Sequence, residues 1–299
     1  MPITTAAERP TRARDGWDRR LLRTLPPLLT LALILLHTLS LESRPLELMM
    51  IAATLLAGLS PWLRARPITW LSLAALVGWS VARSWLWVDN HKFLLLYWCL
   101  ALACACASAR PLRSLARSAR LLIGLCFAFA GLWKLITPDY LDGRAFHYLL
   151  LDDGRFAPLA DWLGADPKLQ AHNAALRRVL PNELVAVTLR DAPALRWVAL
   201  ALAWWTALLE LALAALFLLP DRHDQPNRMT GRPPWRDLAL LLFIATTYTL
   251  APVPGFAWLL IAMGISQTTP GAAGRTTRLA YALALLLTQL YFVLYELSG

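Results

Sequence analysis

Three short stretches of this chain place side chains able to move protons among apolar neighbours. The first is FAGLWKLITPDYLDGRAF at 129–146, where Lys134 lies in the last turn of an apolar run. Helical side chains lean toward the helix N-terminus, so the ammonium points back over Ala130 and Gly131, two small residues that leave a notch. An amine stripped of water there favours its neutral form, which is a general base. The bland alternative is an ammonium bending outward to water. The second stretch is DNHKF at 89–93, which sets the His91 imidazole at a similar depth, beside Asn90. Asp89 or Asn90 also reads as a helix cap. Arg83, near the end of the preceding run, shares that layer. The third is WWTALLELALAAL at 204–216, in which Glu210 is the acid furthest from either end of its run, either a structural tie or a functional group.

Other chemistry is excluded or unsupported. His37 reads as a hydrogen-bonded packing residue, and His147, His172 and His223 are too scattered for a metal site. Cys99, Cys104, Cys106 and Cys126 all fall in apolar runs without CxxC spacing, as small buried hydrophobes do. No Walker loop, dinucleotide fingerprint, nucleophile elbow or HExxH occurs. Neither inverted halves nor paired broken helices point to a transporter.

The elements that must position these groups are membrane helices. Of 299 residues, 58% are hydrophobic and 16% charged, and Leu/Ala/Trp-rich runs long enough to cross about 30 Å of hydrocarbon recur throughout. The expected fold is an all-α polytopic bundle of about nine transmembrane helices. The runs are 21–41, 46–63, 68–88, 93–109, 118–137, 195–219, 237–251, 254–268 and 278–297, and the 237–268 pair reads equally as a re-entrant hairpin. Residues 1–20 form a basic cytoplasmic tail, disordered to about Arg14 and unlike a cleaved signal peptide, and 21–299 form the membrane domain.

The net charge of +10 lies in alternate loops, around Arg64 and Arg66, Arg110 to Arg117, Arg222 to Arg236, and Arg275 with Arg278. That distribution reflects topology, with no nucleic-acid partner, and it sets the N-terminus in the cytoplasm and the C-terminus outside. The long loop at about 138–194 then faces outward together with Lys134 and His91. Within it, AHNAALRRVL and ELVAVTLR are amphipathic enough for short interfacial helices.

FAGLWKL followed by YLDGRAFHYLL, with DNHKF upstream, resembles the membrane domain of vitamin K-dependent γ-carboxylase and its bacterial relatives, the HTTM family. Glu210 in a long apolar helix before Pro220 fits more loosely. The specific part of the resemblance covers 89–93 and 127–150. It implies Lys134 as the base that deprotonates vitamin K hydroquinone or another quinol, and His91 as its assistant. Asn90, Arg83, Trp133, Gly131 and Gly143 are the candidate substrate-binding residues around them. Two departures count against peptide-glutamate carboxylation itself. Trp133 stands where the carboxylase has a second lysine, and the chain stops at Gly299, without the carboxylase's extramembrane region. A separate soluble partner protein is one expectation, and a non-catalytic carrier or assembly partner is the other reading of the whole chain.

Overall fold

Several helices of this chain begin where proline fixes the backbone. In the computed structural model, residues 8–38, 44–86, 88–166, 168–179, 190–219, 235–250 and 253–298 are described, and among them every regular element is helical. The long and medium helices are α1 (Glu8–Thr38), α2 (Arg44–Leu59), a single turn α3 (Pro61–Arg64), α4 (Pro67–Arg83), α5 (Asn90–Ala107) and α6 (Pro111–Ile136). A segment of short helices follows as α7 (Pro138–Leu141), α8 (Arg144–Asp152), a 3₁₀ turn at Gly154–Phe156, α9 (Ala157–Trp162) and α10 (Leu169–Val179). The chain then returns as α11 (Ala194–Leu218), α12 (Trp235–Leu250), α13 (Pro254–Gln267) and α14 (Ala272–Ser298). Proline occupies the first turn of α4, α6 and α13, where its missing N–H costs nothing.

A helix stands at each of the nine expected runs. Four are long and apolar enough to cross a membrane: the Gly16–Thr38 part of α1, then α5, α6 and α11. The others are short, such as α13 with 14 residues, or carry more polar residues. Helix α1 begins at Glu8, earlier than the expected disorder to Arg14, and passes through Pro26 and Pro27. Its start is tied down by Asp18, which is buried and accepts from Arg278 Nη2 at 2.9 Å and from the Gly271 N–H at 2.8 Å.

Packing runs α1–α2–α4–α5–α6, with α11 against α6 and α13 filling the middle between α1, α6 and α14. α13 is buried almost all round, as Leu259 to Ile265 show, which suits a short central helix better than one facing lipid. The C-terminus of α11 is closed by two arginines. Arg120 of α6 donates to the carbonyls of Phe217 at 2.8 Å and Leu219 at 2.6 Å, and Arg236 of α12 donates to those of Leu216 and Leu219. Cations there satisfy the orphan carbonyls and the dipole together.

The 138–179 segment contains short helices, as its amphipathic stretches predict. α10 covers most of AHNAALRRVL, whereas ELVAVTLR lies outside the described residues apart from Arg190. These helices share a second core with α11, built on Phe146, Leu150, Phe156, Leu195 and Ala199. Asn173 locks it: its amide donates to the carbonyls of Leu151 and Arg190 at 3.0 and 3.2 Å, and its oxygen accepts the Arg190 N–H at 2.9 Å. At the turn into α8, the Arg144 backbone N–H, with help from its guanidinium, holds the Asp142 carboxyl below its ordinary value.

Candidate functional site

α6 and α11 run antiparallel in a register set by two glycines. A Cβ on Gly124 would meet Leu218 at 2.7 Å, and one on Gly131 would meet Leu211 at 2.7 Å. The notch beside Gly131 therefore holds a leucine of the neighbouring helix, the close approach that small residues permit inside membranes. One residue from Leu211 stands Glu210, and three from Gly131 stands Lys134. Their side chains meet: Lys134 Nζ donates to Glu210 Oε1 at 2.7 Å and to Oε2 at 2.5 Å. Only 14% of the lysine and 10% of the glutamate side chain are exposed, so the ammonium neither snorkels to water nor stands alone.

α7 roofs the pair. Lys134 Nζ lies 5.1 Å from the centroid of the Tyr140 ring, within cation–π range. The Tyr140 hydroxyl bonds Thr206 Oγ1 at 2.9 Å, and Thr206 sits one turn before Glu210 on the same face of α11. Gly143, in the left-handed region at φ +82°, lets the chain turn into α8 with its Cα against the backbone of Leu200 and Ala199.

His91 is buried but does not join Lys134. Its Nε2 lies 3.1 Å from Nε2 of His37 on α1, with the rings 4.8 Å apart. One nitrogen donates and the other accepts, so the pair holds one shared proton when both rings are neutral. His37 is thus hydrogen-bonded, as its position suggested. Gly255, at the start of α13, presses on both rings, and a Cβ there would come within 2.8 Å of each. Beside them is a cavity of about 10 Å³ lined by His37, Met50, Val77, Ser80, Lys92 and Leu95, room for about one water.

Aromatic rings pack where α6, α12 and α13 meet. Phe256 follows Gly255 and lies 6.4 Å from both Phe127 on α6 and Tyr248 on α12. Among the described residues the Tyr248 hydroxyl is buried without a hydrogen-bond partner.

The remaining candidates separate. Asn90 is exposed in the first turn of α5, and Asp89 occupies the cap position without a side-chain cap bond. Arg83, the last residue of α4, is exposed, and Trp133 is 68% exposed, pointing away from the α6–α11 interface. Tyr140, Thr206 and Tyr248 escaped the sequence reading. The i, i+4 spacing of Thr206 and Glu210 was the available signal for the first two; Tyr248 carries none. Among the described residues no cluster of three His, Cys, Asp or Glu is placed to hold a metal. Comparison with protein families, with curated proteins and with solved structures finds no match.

Proposed function

We propose that this chain is a polytopic membrane protein of nine crossing helices, N-terminus cytoplasmic and C-terminus outside, whose Lys134–Glu210 pair is an acid–base centre for a quinol or another lipophilic hydroxyl compound at the outer face. The observation that carries this reading is the two-pronged contact between the ammonium and the carboxylate, nearly enclosed by α6, α7 and α11. Such a pair costs desolvation energy and is a poor choice for stability alone, whereas buried ionisable pairs in membranes commonly mark proton-handling sites.

The pair's own chemistry is a proton transfer without unbalanced charge. Lys134 passes a proton to Glu210 and, as the free amine, takes the ligand's hydroxyl proton, so Glu210 ends neutral and the restored ammonium stands beside the oxygen that has become negative. The Tyr140 ring holds the ammonium against Glu210 and away from water. His91 and His37 form a separate hydrogen-bonded pair. The resemblance of the Lys134 segment to the carboxylase family makes vitamin K hydroquinone one quinol to try.

The test compares wild type with Lys134→Ala and Lys134→Arg in nanodiscs, measuring quinol binding and oxygen consumption across a quinol panel. Arg keeps an ion pair with Glu210 but does not give up a proton. Wild type is expected to bind quinol and consume oxygen, with both variants losing uptake. Equal behaviour of all three would remove the proposal. A second reading, a non-catalytic carrier or assembly partner, draws on the interlock of Gly131 and Leu211 beside the pair, which makes the pair a helix clip. It predicts variants that lose stability while quinol neither binds nor reacts.

A further inference from the structure

The end of the bundle away from Lys134 carries a different kind of site. Ser108, Arg110, Arg113, Ser114, Arg117 and Ser118 line a recess of about 420 Å³, inside the about 300–1,000 Å³ range of small-ligand clefts. At about 100° per residue, positions 110, 113, 114, 117 and 118 fall on one face of α6. The three arginines are exposed, and among the described residues none forms an ion pair. No Asp or Glu occurs between Asp89 and Asp139, so no acid on this stretch competes for them. The first turn of α6 adds free N–H groups and the positive end of its dipole.

What continues that face decides the ligand. Further along α6 the same angular sector holds Leu121, Leu125, Leu132 and Ile136, exposed by 51, 36, 53 and 62%. A cationic, hydroxyl-bearing recess therefore opens directly onto an apolar stripe running the length of a membrane-spanning helix. A soluble anion would use only the recess, and a neutral lipid only the stripe. We infer that this face of α6 binds an anionic phospholipid, its phosphodiester among Arg110, Arg113 and Arg117 and an acyl chain along Leu121 to Ile136. Arginine forks suit phosphate oxygens in two-pronged fashion, and the serine hydroxyls donate to those left over. The site is independent of the acid–base centre.

The full-length protein in detergent is titrated with phosphatidylglycerol or phosphatidylcholine, and bound lipid is counted by native mass spectrometry. Phosphatidylglycerol is expected to bind more tightly. The Arg110→Gln/Arg113→Gln/Arg117→Gln variant should bind it about a hundredfold more weakly, from about fivefold per basic residue at an anionic head group. All three side chains are exposed, so folding is not at stake. Leu121→Ala/Leu132→Ala should weaken phosphatidylglycerol as well. Arg19→Gln/Arg20→Gln, which removes two exposed charges at the same end, should leave it unchanged. Equal binding of the two lipids overturns the inference, as does an Arg19/Arg20 effect matching the triple variant. Displacement of the lipid by glycerol phosphate at equal concentration, with no effect of the leucine changes, would reveal a free-anion site instead and equally overturn it.

Discussion

Three glycines between α7 and α10 offer a graded test of how α8 is seated on α11. Gly154 has an ordinary backbone, and a Cβ on it meets nothing within 4 Å; Gly164 also has open space, but its φ is +82°. Gly143 has the same φ of +82°, and a Cβ there would lie 2.9 Å from both the Cα and the N of Leu200. Alanine at 154 should be neutral or slightly stabilising. Alanine at 164 should cost about 1–2 kcal/mol for the left-handed backbone alone. At 143 the same backbone cost applies, and a collision with helix backbone that cannot rotate aside adds about 1–3 kcal/mol. The difference between the Gly143 and Gly164 variants therefore isolates the contact, because their backbone terms cancel. Thermal unfolding in detergent, followed by tryptophan fluorescence, reads it as a midpoint lower by about 2–6 °C. Equal midpoints for Gly143→Ala and Gly164→Ala would refute the close seating of α8 and the position of the Tyr140 roof that depends on it.

Lys134→Met and Glu210→Leu should each cost about 3–5 kcal/mol by stranding a buried charge, while the double variant recovers most of the loss; strictly additive unfolding data would contradict the pairing. Asp18→Ala leaves Arg278 without its carboxylate and should lower the midpoint by a comparable amount, with faster trypsin cleavage between Gly16 and Leu22 as the local readout. Asn173→Ala removes the bonds to Leu151 and Arg190, each buried group left unpaired costing about 1–3 kcal/mol. Hydrogen exchange should then speed up at Arg190 and within α10 while α5 and α6 keep their protection.

Run length makes the helices readable, because apolar stretches bounded by polar loops have few alternatives. The lysine in FAGLWKL stood out for the same reason, as a charge where charge is costly. Its partner was harder. Glu210 lies far from either end of its run, and antiparallel packing of α6 and α11 through Gly124 and Gly131 brings it level with Lys134; inter-helix register is not written in either helix alone. His91 was grouped with Lys134 on depth, whereas its neighbour is set by lateral order: α1 and α13 stand beside α5, and Gly255 leaves room for two rings. Trp133 is exposed because one residue along a helix from Lys134 turns the side chain by about 100°, away from the α6–α11 interface.

The arginine closure of α11 has a consequence for how the chain is joined. Arg120 and Arg236 both grip the last carbonyls of α11, and Arg236 reaches them from the far side of residues 220–234. The hairpin between α11 and α12 is thus fastened by groups outside its connection. A backbone break or an inserted reporter within 220–234 should leave the fastening intact. Residues 1–219 and 235–299, expressed as separate polypeptides, are then expected to find one another in the membrane, with Arg236 as the latch.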